Sequence, residues 1–217
     1  RKAAPFAGLT ALSVISFRLD ILMMSWMTTN EAVGWYATAN KFVELYTIVP
    51  VSIFFVLFPK FARQFKEGPE AFKAAIQKAL LPLLGLGVVA ATALYLLSSP
   101  LILLLFGDAY TPAIPVLNIL SIALFFVTIN YLLSYILFSS GFERENCICL
   151  VILTVVNFSL NWLWIPKYGG IGTAWGTVVS EMVYMVSMIP FVFKSVHQAK
   201  KVTEEESLQE QLQVNEQ

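Results

Sequence analysis

Five charged side chains lie inside apolar stretches of this sequence: Arg18, Asp20, Lys41, Glu44 and Glu181. A charge near the middle of a bilayer costs about 2.5–3.5 kcal/mol or more, so such residues normally face a partner or a water-filled cavity. Cations held at that depth suit an anionic ligand, and the planar fork of Arg18 suits phosphate oxygens in particular. Carboxylates at the same depth suit the coupling of a proton or cation. Arg18 and Asp20 are two residues apart, which on a helix is about 200° of rotation, so they cannot face the same neighbour. Lys41 and Glu44 are spaced i,i+3 and share a face.

The elements that must position these groups are helices of a membrane bundle. Hydrophobic residues are 58% of the chain and charged residues 13%, with a mean hydropathy of +0.72. A soluble domain is nearer half apolar and a quarter charged. The fold class is therefore all-α, an integral membrane bundle. Six apolar segments are expected, at about 3–27, 33–61, 79–97, 113–138, 147–164 and 171–193. Each is close to the roughly 20 residues that cross a bilayer. They form one transmembrane lobe over residues 1–193, followed by a polar tail, 194–217, expected to be unfolded. Leu101–Phe106, bounded by Pro100 and Gly107, is read as an interfacial piece. Phe65, Phe72 and Ile76 among charged residues suggest an amphipathic surface helix.

An even number of spans puts both ends on one side. That side carries eleven Lys and Arg, whereas the opposite loops carry Lys167 alone. By the positive-inside rule both ends are expected to be cytoplasmic. The chain begins at Arg1 and runs straight into an apolar segment, so the reading expects an upstream portion that the sequence does not include. Cys147 and Cys149 are read as packing residues, since no second pair or histidine completes a metal pattern; His197 lies alone in the tail. No cofactor, metal or nucleic-acid motif is found, and the short outer loops hold no catalytic constellation. An enzyme is not expected.

The first two segments form a hairpin turning through Thr28-Thr29-Asn30-Glu31. Helical rise puts Arg18, Asp20, Lys41 and Glu44 in one layer, roughly 10–16 Å from that turn. Asp20–Lys41 is the better depth match for a pair, which leaves Arg18 available to an anionic ligand. These charges also suit structural ion pairs. Glu181 is ten residues into its segment, near mid-bilayer, as a candidate for coupling or a hydrogen bond to a neighbouring helix. Asn157, Asn161 and Trp164 recur at i, i+4, i+7, a polar-aromatic stripe that suits a sugar or interhelical hydrogen bonds. Gly172 and Gly176 offer a close helix contact. Gly169-Gly170-Ile171-Gly172 precedes an apolar segment rather than following a strand, so it is not a nucleotide loop.

Several stretches together resemble a known family. They are Phe17-Arg18-Leu19-Asp20, Glu31 to Tyr36 leading to Glu44 and Pro50, Leu57-Phe58-Pro59, Leu105 to Tyr110, Asn157 to Pro166, and Gly169 to Glu181. In this order the chain resembles the polysaccharide transporter family, the flippases of lipid-linked oligosaccharides, in the superfamily that also holds multidrug extruders and lipid II flippases. The resemblance implies the C-terminal lobe of a two-lobed exporter of the plasma (inner) membrane, partnered by a missing N-terminal lobe. It implies alternating-access flipping of undecaprenyl-pyrophosphate-linked oligosaccharide units to the outer leaflet for cell-surface polysaccharide. A polysaccharide polymerase complex is a further implied partner. Substrate contacts would fall to Arg18, Lys41, Asn157, Asn161 and Trp164, and ion coupling or structural pairing to Asp20, Glu44 and Glu181. Another exporter of the superfamily, or a membrane scaffold without transport, are the competing expectations.

Overall fold

A computed structural model describes residues 18–215, with side chains described for 18–200. No strand occurs among the described residues. Helix α1 is described over 18–27. The chain turns at Thr28 and Thr29, where Thr28 Oγ1 donates to Met24 O (2.8 Å) and Thr29 Oγ1 accepts from Ala32 N (3.3 Å). Thr29 thus caps α2, Asn30–Glu67. This is the expected hairpin.

Gly68 separates α2 from α3, Pro69–Phe106, and Gly107 ends α3 ahead of a 3-10 turn at Asp108–Tyr110. Helix α4 spans Ala113–Ser139 and α5 spans Glu143–Asn215. Four of these helices are long and apolar enough to cross a membrane. Helix α5 is in fact two helices joined at Gly169, whose φ of 54° lies in the left-handed region open to glycine. Its limbs, 143–168 and 170–215, run antiparallel. Cys149 Sγ donates to Ser187 O, Asn157 Nδ2 to Ser180 Oγ, and Tyr184 Oη to Asn146 Oδ1. The residue numbers in each pair sum to nearly the same value, as a hairpin requires. The fifth and sixth expected segments are these two limbs.

Three expectations are corrected. Leu101–Phe106 is no interfacial piece but the last turns of α3. A proline inside a membrane helix leaves only the carbonyl four residues back without its bond, so Pro100 does not stop it. The amphipathic surface helix is divided between the end of α2 and the start of α3, with Phe65 and Phe72 meeting edge to face across Gly68 (5.3 Å). The tail, expected to be unfolded, continues α5 to Asn215. After Pro190 that stretch has no glycine or proline, and it is rich in the helix formers Lys, Glu, Gln and Leu.

Helix α4 is the centre of the bundle. Two thirds of its most apolar window is buried, against 17% for α2 and for α3. Met23, Met24, Tyr36, Leu117, Leu120 and Ile165 form one core cluster, joining α1, α2, α4 and α5. Phe54, Phe61, Phe72, Leu132 and Ile136 form a second at the other end. Leu45, Phe55, Val56, Leu81, Val89 and Leu104 point outward instead. In water such a surface would drive aggregation, whereas in lipid it costs nothing. The chain is a multi-pass membrane protein.

Candidate functional site

Asp20 is the best-furnished polar group of the interior. Its carboxylate accepts from Asn161 Nδ2 (2.6 Å), from the Tyr36 hydroxyl (2.7 Å) and from Thr177 Oγ1 (3.0 Å). These donors come from α2 and both limbs of α5, so three elements converge on one side chain of α1. Tyr36 is fully buried, as is Asn161. Asn161 also donates to Asn157 Oδ1 (3.1 Å), and Asn157 reaches Ser180. Asp20 has no cation partner among the described residues. Its whole shell is neutral.

Glycine makes this convergence possible. A Cβ at Gly176 would lie 2.8 Å from Asn161 Oδ1, and one at Gly172 would lie 2.7 Å from the carbonyl of Trp164. The two glycines bring the limbs of α5 together as their spacing suggested. Asn161 Oδ1 is buried and has no hydrogen-bond donor. A buried amide oxygen without a donor is costly, commonly by about 1–3 kcal/mol, and it sits beside a carboxylate that also lacks a cation. Carboxylate, hydroxyl and amide oxygens together are the donor chemistry of a proton or hard cation.

Arg18 turns the other way. Its Nη1 donates to Glu44 Oε1 (3.3 Å), while Lys41 Nζ donates to Glu44 Oε2 (2.9 Å) and Asn40 Nδ2 to Oε1 (3.4 Å). The Arg18 and Lys41 side chains are more than half exposed, whereas Glu44 is 16% exposed. Two cations share one anion, which leaves surplus positive charge on an accessible face. The expected Asp20–Lys41 pair is therefore absent. The reason is rotational: Tyr36, Ala39 and Val43 form the buried face of α2, and Lys41, five residues past Tyr36, points about 140° away from it. Asp20 faces Tyr36 and cannot reach Lys41.

Glu181 is one turn beyond Thr177 on the returning limb. Asn130 Nδ2, from α4, donates to its Oε2 (2.7 Å) and to its backbone carbonyl (2.9 Å). Below it, Ser134, Tyr184 and Asn146 share hydrogen bonds. A polar seam thus follows the α5 hairpin from Asp20 to Asn146.

Of the residues marked in the sequence, the structure brings Asp20, Asn157 and Asn161 together, and separately Arg18, Lys41 and Glu44. Glu181 is set one helical turn from the first group. Trp164 stands apart, half-buried at the hairpin end with its carbonyl against Gly172. Tyr36, Thr177, Ser180 and Asn130 were not assigned roles at Asp20 or Glu181. The available signal was the i,i+4 spacing of Thr173, Thr177 and Glu181, one polar face on an apolar helix.

Comparison with known proteins is consistent with this architecture. The family model described as lipid II flippase MurJ matches residues 1–212. An uncharacterized membrane protein of Methanocaldococcus jannaschii is 29% identical over 186 residues, covering 84% of this chain and 36% of that protein. The chain thus spans about a third of the length of this curated relative. Among solved structures, a MATE protein in a bent conformation superposes with a TM-score of 0.73 at 19% identity, over 85% of this chain and 42% of that one. An outward-facing multidrug resistance MATE transporter of the MOP superfamily gives 0.74 at 18%, over 93% and 45%. A MOP superfamily transporter from Pyrococcus furiosus, described as having a binding pocket of reversed polarity, gives 0.70 at 19%, over 88% and 43%. At these identities the structures speak to the fold alone: a lobe of the MATE type. The motifs pointed to the right superfamily, although the family model that matches is the lipid II flippase rather than the polysaccharide transporter. Such families are exporters, not catalysts. With a match across nearly its whole length, the chain belongs to the lipid II flippase MurJ family of the MOP superfamily of membrane exporters.

Proposed function

We propose that this chain acts as the C-terminal lobe of a flippase that carries an undecaprenyl-pyrophosphate-linked sugar from the cytoplasmic to the outer leaflet by alternating access. Lipid II is the substrate that the family's description supports, and an oligosaccharide repeat unit is the one that the sequence motifs support. The two share the pyrophosphate. The observation that carries the reading is the arrangement of Arg18 and Lys41 over a single Glu44. Their surplus charge would meet the pyrophosphate, since each charge-assisted hydrogen bond contributes about 1.5–3 kcal/mol.

Asp20, with Tyr36, Asn157, Asn161 and Thr177, would hold the coupling cation, a proton or an alkali ion. Occupancy of this site would fix α1 and α2 against the hairpin of α5, and vacancy would release them. A cation could thereby bias the lobe between two packings. Asn157 and Asn161 serve the coupling site in this reading rather than the sugar. Both ends of the lobe are cytoplasmic by the distribution of Lys and Arg.

The test is complementation. The full-length protein is expressed in one strain depleted of its lipid II flippase and another lacking its oligosaccharide flippase, at matched membrane levels. Rescue of the first alone assigns lipid II, and rescue of the second alone assigns the repeat unit. Loss of rescue with the Arg18→Gln/Lys41→Gln double variant supports the pyrophosphate contact, whereas full rescue by it refutes that contact. A second reading, export of organic cations, is favoured by the uncompensated carboxylates Asp20 and Glu181. It would be supported by drug resistance conferred by a protein that rescues neither strain.

A further inference from the structure

A cavity of about 280 Å³ lies between the second half of α2 and the first half of α3, far along the bundle from Asp20. Ile53, Leu57, Phe61, Leu83 and Leu86 line its apolar body. Lys60 and Lys78 also line it, one from each helix. Neither lysine takes part in an ion pair or side-chain hydrogen bond among the described residues, whereas Arg18, Lys41 and Arg63 are each paired with a carboxylate. Pro82 is a further lining residue. Having no N–H, it leaves the carbonyl of Lys78, four residues back, without its helical donor. An apolar slot thus carries two unmatched ammonium groups and an open acceptor.

The surroundings say which medium supplies the occupant. Phe55, Val56 and Leu81, beside the cavity in sequence, are all at least 70% exposed, so the cavity opens among apolar side chains on this lobe. The lysines belong to the end of the bundle rich in Lys and Arg, which the orientation proposed above puts at the cytoplasmic surface, where a phospholipid headgroup sits beside basic side chains. We infer that the α2–α3 cavity is a binding site for one anionic phospholipid of the cytoplasmic leaflet, with an acyl chain in the slot and its phosphate between Lys60 and Lys78. A hydroxylated headgroup would add a donor for the Lys78 carbonyl. This site is separate from the Arg18–Lys41 face and does not depend on which lipid the protein flips. A lipid bridging α2 and α3 there would bind the two helices into one unit.

The full-length protein is purified in detergent and titrated with phosphatidylglycerol or phosphatidylcholine, with retained lipid read by native mass spectrometry. Wild type is expected to retain one phosphatidylglycerol in preference to phosphatidylcholine. Lys60→Gln/Lys78→Gln should weaken that retention about thirtyfold, from roughly 1 kcal/mol for each lysine near an anionic surface. Ala79→Phe, which fills the cavity and keeps both lysines, should abolish it. Lys66→Gln/Lys73→Gln removes equal charge from the same end outside the cavity and should leave retention unchanged. Equal retention of the two lipids overturns the inference, as does retention by Ala79→Phe. An effect of Lys66→Gln/Lys73→Gln as large as that of the cavity pair overturns it too, because the binding would then be surface charge alone.

Discussion

Arg18 and Asp20 are two residues apart on α1, yet they belong to different chemistries. Arg18 lies on an exposed face and shares one opposite charge, Glu44, with Lys41. Asp20 lies inward and is held by three neutral donors, with no cation among the described residues. The difference follows from where water or ligand can reach. An exposed ion pair contributes only about 0–1 kcal/mol, so its members can be exchanged for a ligand at small cost. A carboxylate surrounded by hydroxyls and amides is oriented and desolvated, and it gains most when a cation arrives. In the proposed reading, the first region suits an anion that comes and goes, and the second suits a cation that is gripped.

The largest effect expected from breaking this contrast is at Asp20. Asp20→Asn keeps the shape of the side chain and removes its charge, so transport should fall about 5- to 150-fold, the span of a typical coupling free energy. Flipping assayed in reconstituted vesicles would check it, and transport within twofold of wild type would remove Asp20 from coupling. Arg18→Gln and Lys41→Gln come next. Each should weaken the apparent affinity for the pyrophosphate substrate about tenfold, from the loss of a charge-assisted contact, with thermal stability nearly unchanged. A large stability loss with unaltered affinity would make the triad structural.

Gly176→Ala attacks the interior region through packing alone. Its new Cβ would meet Asn161 Oδ1 at 2.8 Å, so about 1–3 kcal/mol of destabilisation is expected from overpacking. Thermal unfolding of the purified full-length protein measures this, and an unchanged midpoint would mean that the α5 hairpin is looser than described. The smallest effect belongs to a pair outside both regions. Arg63→Ala removes an exposed i,i+4 pair with Glu67, and a change of only about 0.3–0.5 kcal/mol is expected in the same assay.

The same contrast marks what could be read without coordinates. Hydropathy marked the apolar stretches that fall within α2 to α5, and helical rise put Arg18, Asp20, Lys41 and Glu44 in one layer, since both depend only on counting residues. The 200° between Arg18 and Asp20 also foretold that they would separate. Which one turned inward was not legible. Hydropathy marks no inner face on a helix that is apolar all round, so the rotation of α1 is set by Tyr36 and by α5, 141 residues away at Asn161. For the same reason the Asp20–Lys41 pair was expected and Tyr36 and Thr177 were not. The glycine contact was legible because it lies within one hairpin. The C-terminal end of α3 was not legible because a proline such as Pro100 ends water-exposed helices but not bundled membrane helices.

The central claim, that the interior cluster grips a cation while the outer triad does not, is tested most directly by binding. Radioactive Na⁺ binding to the purified full-length protein would be measured at two pH values, for wild type, Asp20→Asn and Arg18→Gln. The account predicts saturable binding that Asp20→Asn abolishes and Arg18→Gln preserves; if a proton is the coupling ion, Na⁺ does not bind and Asp20→Asn instead removes the proton uptake that accompanies transport. Saturable Na⁺ binding, or proton uptake, retained in full by Asp20→Asn would contradict it.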